Sequence, residues 1–269
     1  MTATLDGPTA RGWIDRWDAQ QEVFMPDREE RFTALIDAVA ETAGREDPLV
    51  IDLGCGPGSL AVRLLARMPA AVVVAVDADP LLLGLGQAAQ AAQADRAPGS
   101  LRFVELDMRV PGWSAGLGLD RPVDAAVSTT ALHWLWPEAL SALYAEIATV
   151  LRPGGLLLNG DHLKEDEAIS PTLARLGRAL NEREEHRRAP QGRSETWAGW
   201  WDAALSDAAL ADLAADRQRR LVDCAHHGSP SGRLAVHVDA LRAAGFAEVG
   251  TLWQRGDNRL LCAVRQSDG

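Results

Sequence analysis

Residues 49–59 read Leu49-Val50-Ile51-Asp52-Leu53-Gly54-Cys55-Gly56-Pro57-Gly58-Ser59. A short apolar run ends in an acid and a glycine-rich turn, and an amphipathic stretch, residues 59–68, follows. Strand, turn and helix in that order build a ligand site by geometry. The glycines let the backbone approach a ligand closely, and the first turn of the helix offers N–H groups with no intrahelical partner. In an open α/β sheet such a site lies beyond the carboxyl ends of the strands.

The spacing within the turn sorts the ligand classes. A dinucleotide fingerprint, G-x-G-x-x-G, would need a glycine at 59, where Ser59 stands. A phosphate loop needs a lysine after its last glycine, and the first lysine of the chain is Lys164. Acids follow three successive apolar runs: Asp52, Asp77 and Asp107. Carboxylates accept hydrogen bonds from hydroxyls, amines and ammonium groups. A ligand with a ribose diol, an amino group and a cationic sulfur would suit them, and a pyrophosphate would be repelled.

Outward from the turn, apolar runs recur at 71–76, 101–106, 123–128 and 156–159. Continuous runs suit strands buried on both faces of a parallel sheet. Between them residues 59–68, 79–93 and 137–151 read as helices, the last stopped by Pro153-Gly154-Gly155. Residues 234–244 form a further helix closed by Gly245. Residues 248–253 and 259–264 then form two strands around the turn-rich link 255–258. The alternation predicts an α/β fold: a doubly wound, mostly parallel, seven-stranded Rossmann-like sheet with an antiparallel edge hairpin and a helical cap insertion. Four segments follow: 1–45, N-terminal helices covering the site; 46–162, the cofactor-binding core; 163–232, the helical insertion shaping a substrate pocket; and 233–269, a helix and hairpin completing the core. Residues 1–10 read as a loose tail and 12–43 as helical, with Pro26 separating two helices. In the insertion Leu173, Leu176 and Leu180 keep helical spacing.

The chain has 269 residues, 47% of them hydrophobic, enough for a sizeable core. Its formal net charge of -11 disfavours nucleic acid and anionic membranes as partners and is compatible with a cationic cofactor. Cys55, Cys224 and Cys262 form no C-x-x-C pair, which speaks against a disulfide framework or a zinc site. No apolar run reaches membrane-spanning length, and residues 1–18 lack a basic start followed by an apolar stretch, so a cytoplasmic protein is expected.

The quoted turn resembles that of class I S-adenosylmethionine-dependent methyltransferases. Residues 50–58, then Asp77, Glu105-Leu106-Asp107-Met108 and Leu151-Arg152-Pro153-Gly154-Gly155 carry the likeness. Ala131-Leu132-His133-Trp134-Leu135 is similar to the loop after strand four in the small-molecule branch that includes trans-aconitate and malonyl-carrier-protein methyltransferases. The resemblance covers 49–160 well and 233–265 loosely, and 163–232 matches nothing recognised. It implies S-adenosylmethionine as cofactor, with Asp52, Gly54, Gly56, Asp77, Ala78, Asp107, Met108 and Ser128 around it. Asp77 would take the ribose hydroxyls, Asp107 the adenine amino group and Met108 the ring.

Methyl transfer from a sulfonium asks the protein mainly to place the acceptor and exclude water. A base helps a hydroxyl, an ammonium or an acidic carbon, whereas a carboxylate acceptor needs none. His133 after strand four and His162 after strand five, where Asp161-His162 should face the same mouth, are the candidate bases; each has a plainer role, His133 orienting its loop or touching the cofactor, and His162 capping the next helix, which Asp161 could also do. His226, His227 and His237 follow no metal-ligand spacing and read as loop or surface residues. Trp197, Trp200 and Trp201 share one helical face and would glue the insertion to the N-terminal helix, with Trp13 and Trp17, or line a pocket. Arg183, Arg187, Arg188 and Arg193 alternate with acids, as on a solvated helix face. A small-molecule acceptor is expected, with an RNA or protein methyltransferase, or a non-catalytic cofactor-binding module, as alternatives.

Overall fold

A computed structural model describes residues 5–25, 27–92, 100–188, 195–220 and 231–267. Its centre is a seven-stranded sheet of order β3-β2-β1-β4-β5-β7-β6. The strands are β1 (Leu49–Leu53), β2 (Val72–Asp77), β3 (Leu101–Glu105), β4 (Val123–Thr129), β5 (Leu151–His162), β6 (Phe246–Arg255) and β7 (Asn258–Arg265). The first five pair in parallel; β7 is antiparallel to β5 and to β6. The chain runs outward from β1 to β3 and then returns to β4 on the other side of β1. That reversal opens a crevice at the carboxyl ends of β1 and β4.

Every residue of β1 is buried, as a central parallel strand requires. Two apolar clusters cover the sheet, one on each face. Helices α5 (Pro137–Val150) and α9 (Leu234–Ala243) build one; α2 (Arg28–Ala43) and α3 (Ser59–Arg67) build the other. Helix α4 (Pro80–Ala91) joins a third cluster with α1 (Gly7–Phe24) and α7 (Trp197–Ser206). No helix among the described residues is long and apolar enough to cross a membrane.

Two expected boundaries move. Residues 7–10 are not tail but the first turn of α1: Asp6 caps it, accepting from the Thr9 backbone N–H at 2.8 Å, and Pro8 sits where a missing N–H costs nothing. Strand β5 begins at Leu151 rather than 156. Its register against β4 jumps between the pairs Val123–Leu151 and Ala125–Leu156, so Pro153 falls within an irregularity where no ladder donor is needed.

The insertion folds as α6 (Pro171–Arg188), α7 and α8 (Ala211–Arg220), with a 3-10 turn before α8. The helical spacing of Leu173, Leu176 and Leu180 holds, yet these three leucines are 57%, 44% and 56% exposed. Both ends of the insertion meet: the Lys164 N–H donates to the Gly232 carbonyl at 2.9 Å, and the Leu234 N–H to the Lys164 carbonyl at 2.9 Å. The tryptophans are its glue. Trp200 is fully buried and meets Trp13, Trp17 and Trp201 edge-on, with centroids 5.6, 4.9 and 5.0 Å away. Arg217 of α8 lies over the Trp201 ring and reaches Asp79, the cap of α4, at 2.6 Å.

Trp200→Ala should leave a large void where α1, α4 and α7 meet and cost about 3–5 kcal/mol in denaturant unfolding. A loss below about 1 kcal/mol would mean that this cluster does not hold the insertion.

Candidate functional site

The glycine turn is held from β2. The N–H groups of Gly54 and Cys55 both donate to the Val76 carbonyl, at 2.8 and 2.9 Å. The Gly56 N–H donates to Oδ2 of Asp77 at 2.8 Å, and the Asp79 N–H to Oδ1 at 2.9 Å. Gly54 and Gly56 lie at φ +68° and +54°, left-handed backbone that suits glycine. Gly54 also meets a neighbour: a Cβ there would stand 2.3 Å from the Cβ of Ala131, with the Met108 methyl 3.9 Å away. Trp17 of α1 lies 3.8 Å from the corresponding position at Gly56. Asp18 binds the Ser59 hydroxyl at 2.6 Å and Arg63 at 3.1 Å, tying α1 to the start of α3.

Inside this frame Asp52 is fully buried and neither carboxylate oxygen has a hydrogen-bond partner. Burial, and then the charge of Asp77, push its pKa up to about 7. Burial also pushes Asp77 up to about 6, against the backbone N–H groups that favour its charge. No ion pair reaches either acid among the described residues. A buried pair of this kind calls for a cation. The turn therefore offers two acids and a side-chain-free cradle, which fit a ligand carrying ammonium or sulfonium charge and hydroxyls.

The remaining positions differ in what they offer. Ala78 is half-buried between Asp77 and Asp79. The Ser128 hydroxyl is buried and donates to the Leu53 carbonyl at 2.8 Å, stitching β4 to β1. Met108 packs on the main core beside Gly54. Asp107 accepts from the Arg109 backbone and side chain at 2.7–3.1 Å, and these contacts hold its carboxyl below the usual range.

At the neighbouring ends of β4 and β5, Nδ1 of His133 lies 2.8 and 2.9 Å from the two oxygens of Asp161, which is fully buried. Burial alone would raise the Asp161 pKa; the interaction with His133, led by its hydrogen bond, and the charge of Arg31 outweigh it and lower it. An ionised Asp161 requires Nδ1 to donate, so Nε2 carries the basic lone pair. His162 does not join this pair. Adjacent strand residues point to opposite faces, and His162 instead meets Asp257 at 2.9 Å.

Several site features have no sequence signal. Asp161 was legible as facing the site mouth after strand five but not as the partner of His133, and Arg31 of α2 carried no signal, although it is fully buried beside the same strand ends. His237, expected in a loop or on the surface, is in the core: it accepts from Tyr144 at 2.6 Å on Nδ1 and donates from Nε2 to the Ser231 carbonyl at 2.6 Å. Burial lowers its pKa, so it stays neutral and joins α9 to α5. Arg187 pairs with Glu184 on an exposed face of α6, as expected of a solvated helix. His226, His227, Cys224 and Arg193 lie outside the described residues. Among those described, no group of three acid, histidine or cysteine side chains could hold a metal.

Residues 50–155 match the family model described as a methyltransferase domain. Trans-aconitate 2-methyltransferase of Azoarcus sp. is 33% identical over 141 residues, covering 52% of this chain and 49% of that protein. Its counterpart from Mycobacterium ulcerans is 30% identical over 163 residues, 59% of this chain and 54% of that protein. The chain thus spans about half the length of the curated relatives it matches. Among solved structures, the magnesium protoporphyrin IX methyltransferase of Synechocystis with bound SAH shares the fold at TM-score 0.53 and 18% identity, over 94% of each chain. An O-methyltransferase family protein of Burkholderia thailandensis does so at 0.54 and 19%, over 95% of this chain and 70% of that one. The expected fold is present, and the stretch that matches the family model lies within the residues that carried the resemblance.

The acid pair has a thermodynamic consequence. Unfolded, Asp52 titrates near ~3.9; folded, it titrates at about 7. Between those values the native state holds a proton that the unfolded chain has released, so this group's contribution to stability declines as pH rises through the window. Asp52→Asn should remove that loss, raising stability by about 1–3 kcal/mol at pH 7.5 and little at pH 4. Unfolding curves of both proteins at the two pH values check it; an advantage independent of pH would contradict the assignment.

Proposed function

We propose that this chain, whose residues 50–155 match a methyltransferase domain model, binds S-adenosylmethionine at the glycine turn and methylates a small-molecule acceptor. The observation that carries the reading is the fully buried Asp52 next to the half-buried Asp77, beside Gly54 and Gly56, acids that no cation pairs with among the described residues. A sulfonium and an ammonium supply that charge, and their arrival also removes the penalty of keeping both acids ionised.

Within this reading Asp77 takes the ribose hydroxyls on the lone pairs that Gly56 and Asp79 leave over. Asp52 faces the positive end of the ligand, and the backbone around Gly54, Gly56 and Ala78 lies against it. Met108 flanks the adenine. Asp107 accepts from the adenine amino group once Arg109 yields one oxygen. Ser128 acts through the strand end it fixes. Bound there, the cofactor supplies an electrophilic methyl group for in-line displacement.

His133 is the base: its Nε2 would take the proton from an acceptor hydroxyl, ammonium or acidic carbon, and a carboxylate acceptor would need none. Asp161 opposes the imidazolium that results. His162, engaged with Asp257, has no part in the transfer. The trans-aconitate 2-methyltransferase relatives and the overall acidity of the chain support a small acceptor over a polymer.

Titration calorimetry with S-adenosylmethionine should show one site per chain, weakened at least about tenfold in Asp77→Ala, the loss of roughly 1.4 kcal/mol or more expected when a charged hydrogen-bond acceptor is removed. No heat with this ligand, alongside uptake of NAD or ATP, would overturn the donor assignment. Transfer of a labelled methyl group from bound cofactor into the small-molecule fraction of a cell extract is the expected product pattern, and label confined to RNA or protein would overturn the acceptor class. His133→Gln should slow transfer by roughly 10²–10⁴-fold, the range of general-base catalysis, while His162→Gln changes it little.

A further inference from the structure

Arg31 lies on α2, outside every motif, yet it is fully buried at the ends of three strands. One guanidinium nitrogen donates to Oδ1 of Asn258 on β7 at 2.5 Å. The other donates to Oγ1 of Thr129 on β4 at 2.6 Å and contacts the Met25 sulfur at 3.6 Å. Thr129 pairs in register with Gly160 of β5, and Arg31 runs directly over that glycine: a Cβ at 160 would stand 2.7 Å from Nε. The next residue along the strand is Asp161.

All of these hydrogen-bond partners are neutral, and Nε has none. A buried guanidinium left with neutral partners alone is strongly disfavoured. Burial lowers the Arg31 pKa to about 10, and the opposing influence is the charge of Asp161. The two ions compensate each other through space, since their side chains form no direct bridge. Asp161 thus has the guanidinium over its chain neighbour Gly160 and His133 bonded to its carboxylate.

We propose that Arg31 is a positioning residue for His133: its buried guanidinium, fixed by Thr129 and Asn258, is the counter-charge that makes Asp161 the carboxylate partner of the imidazole. The proposal rests on the reading of His133 as the base. It extends the site to the second N-terminal helix and explains why position 160 is a glycine, since any side chain there would displace the guanidinium. Other charged or titratable groups face the same cluster. Arg28 is one turn earlier on α2 and disfavours a second positive charge. Tyr144 of α5 and His237 of α9 both feel Asp161, and His162, whose backbone N–H binds Asp161, is paired with Asp257.

The test follows the His133 ring resonances by NMR in the whole chain without added ligand, against pH. Removing a nearby positive charge makes the His133–Asp161 pair more basic whichever of the two holds the proton. Arg31→Gln, which keeps hydrogen-bond donors but no charge, should therefore raise the midpoint of proton uptake by about one pH unit, a tenfold change. Arg31→Lys should leave it near the parent value, and Asp161→Asn should lower it. A midpoint unmoved in Arg31→Gln, or moved equally by Gln and Lys, overturns the proposal and leaves the donor assignment standing. If Arg31→Gln is too unstable to titrate, the double variant Arg31→Gln/Asp161→Asn, with neither ion left, should recover most of the lost Tm. Failure to recover it would make Arg31 a packing residue only and sink the idea. Absence of cofactor binding in calorimetry, by contrast, would strike the donor reading without touching this one.

Discussion

A single carboxylate on β2 organises the glycine turn after β1. Asp77 accepts from the Gly56 N–H with one oxygen and from the Asp79 N–H with the other, so the turn and the start of α4 share one anchor. The cost is electrostatic: this anchor sits beside the buried Asp52, and both acids are raised, Asp52 by burial and the charge of Asp77, Asp77 by burial and the charge of Asp79. Among the described residues no cation compensates this negative region. A cationic ligand relieves it, which makes the same interaction both the support of the turn and the source of its selectivity.

Around this region the chain places elements distant in sequence. Helix α1 lies over the turn through Trp17 and is tied to α3 through Asp18. Helix α2 sends Arg31 into the ends of β4, β5 and β7. The insertion holds α1 and α4 through the Trp200 cluster and the Arg217–Asp79 pair. Both polar centres, the acids at β1–β2 and the His133–Asp161 pair at β4–β5, lie at carboxyl ends of parallel strands, which is where a doubly wound sheet leaves its strand ends uncovered.

Much of this was readable because it is local. Each of the first five strands is an apolar run with an adjacent turn or acid, and the glycine spacing at 54, 56 and 58 is a contiguous pattern. The cofactor half of the site follows from that pattern. What was not readable depends on contacts between remote residues. Asp161 meets His133 from 28 positions away and Arg31 meets Asn258 from 227 away, and no periodicity encodes either. His237 read as a loop or surface residue because its burial depends on Tyr144, 93 positions away, which no local pattern reveals. Residues 7–10 were taken as tail because a single capping aspartate and a proline are a faint signal against a polar background. In α6 the spacing of Leu173, Leu176 and Leu180 gave the helix correctly, but period alone cannot say whether the face it defines is covered.

The insertion leaves the sheet at Lys164 and returns at Gly232 to the same spot, its two ends joined by backbone hydrogen bonds. A segment whose entrance and exit coincide can change in length or content with little strain on the frame, because the entropy of closing a loop grows only slowly with its size. The cofactor half of the molecule has no such freedom, since its turn, acids and strand ends constrain one another. Under the proposed function, variation in acceptor can therefore accumulate in the insertion while the glycine turn and its acids stay fixed. The fold works as a socket with an exchangeable fitting, and descendants of one ancestor could differ in acceptor without relearning how to fold.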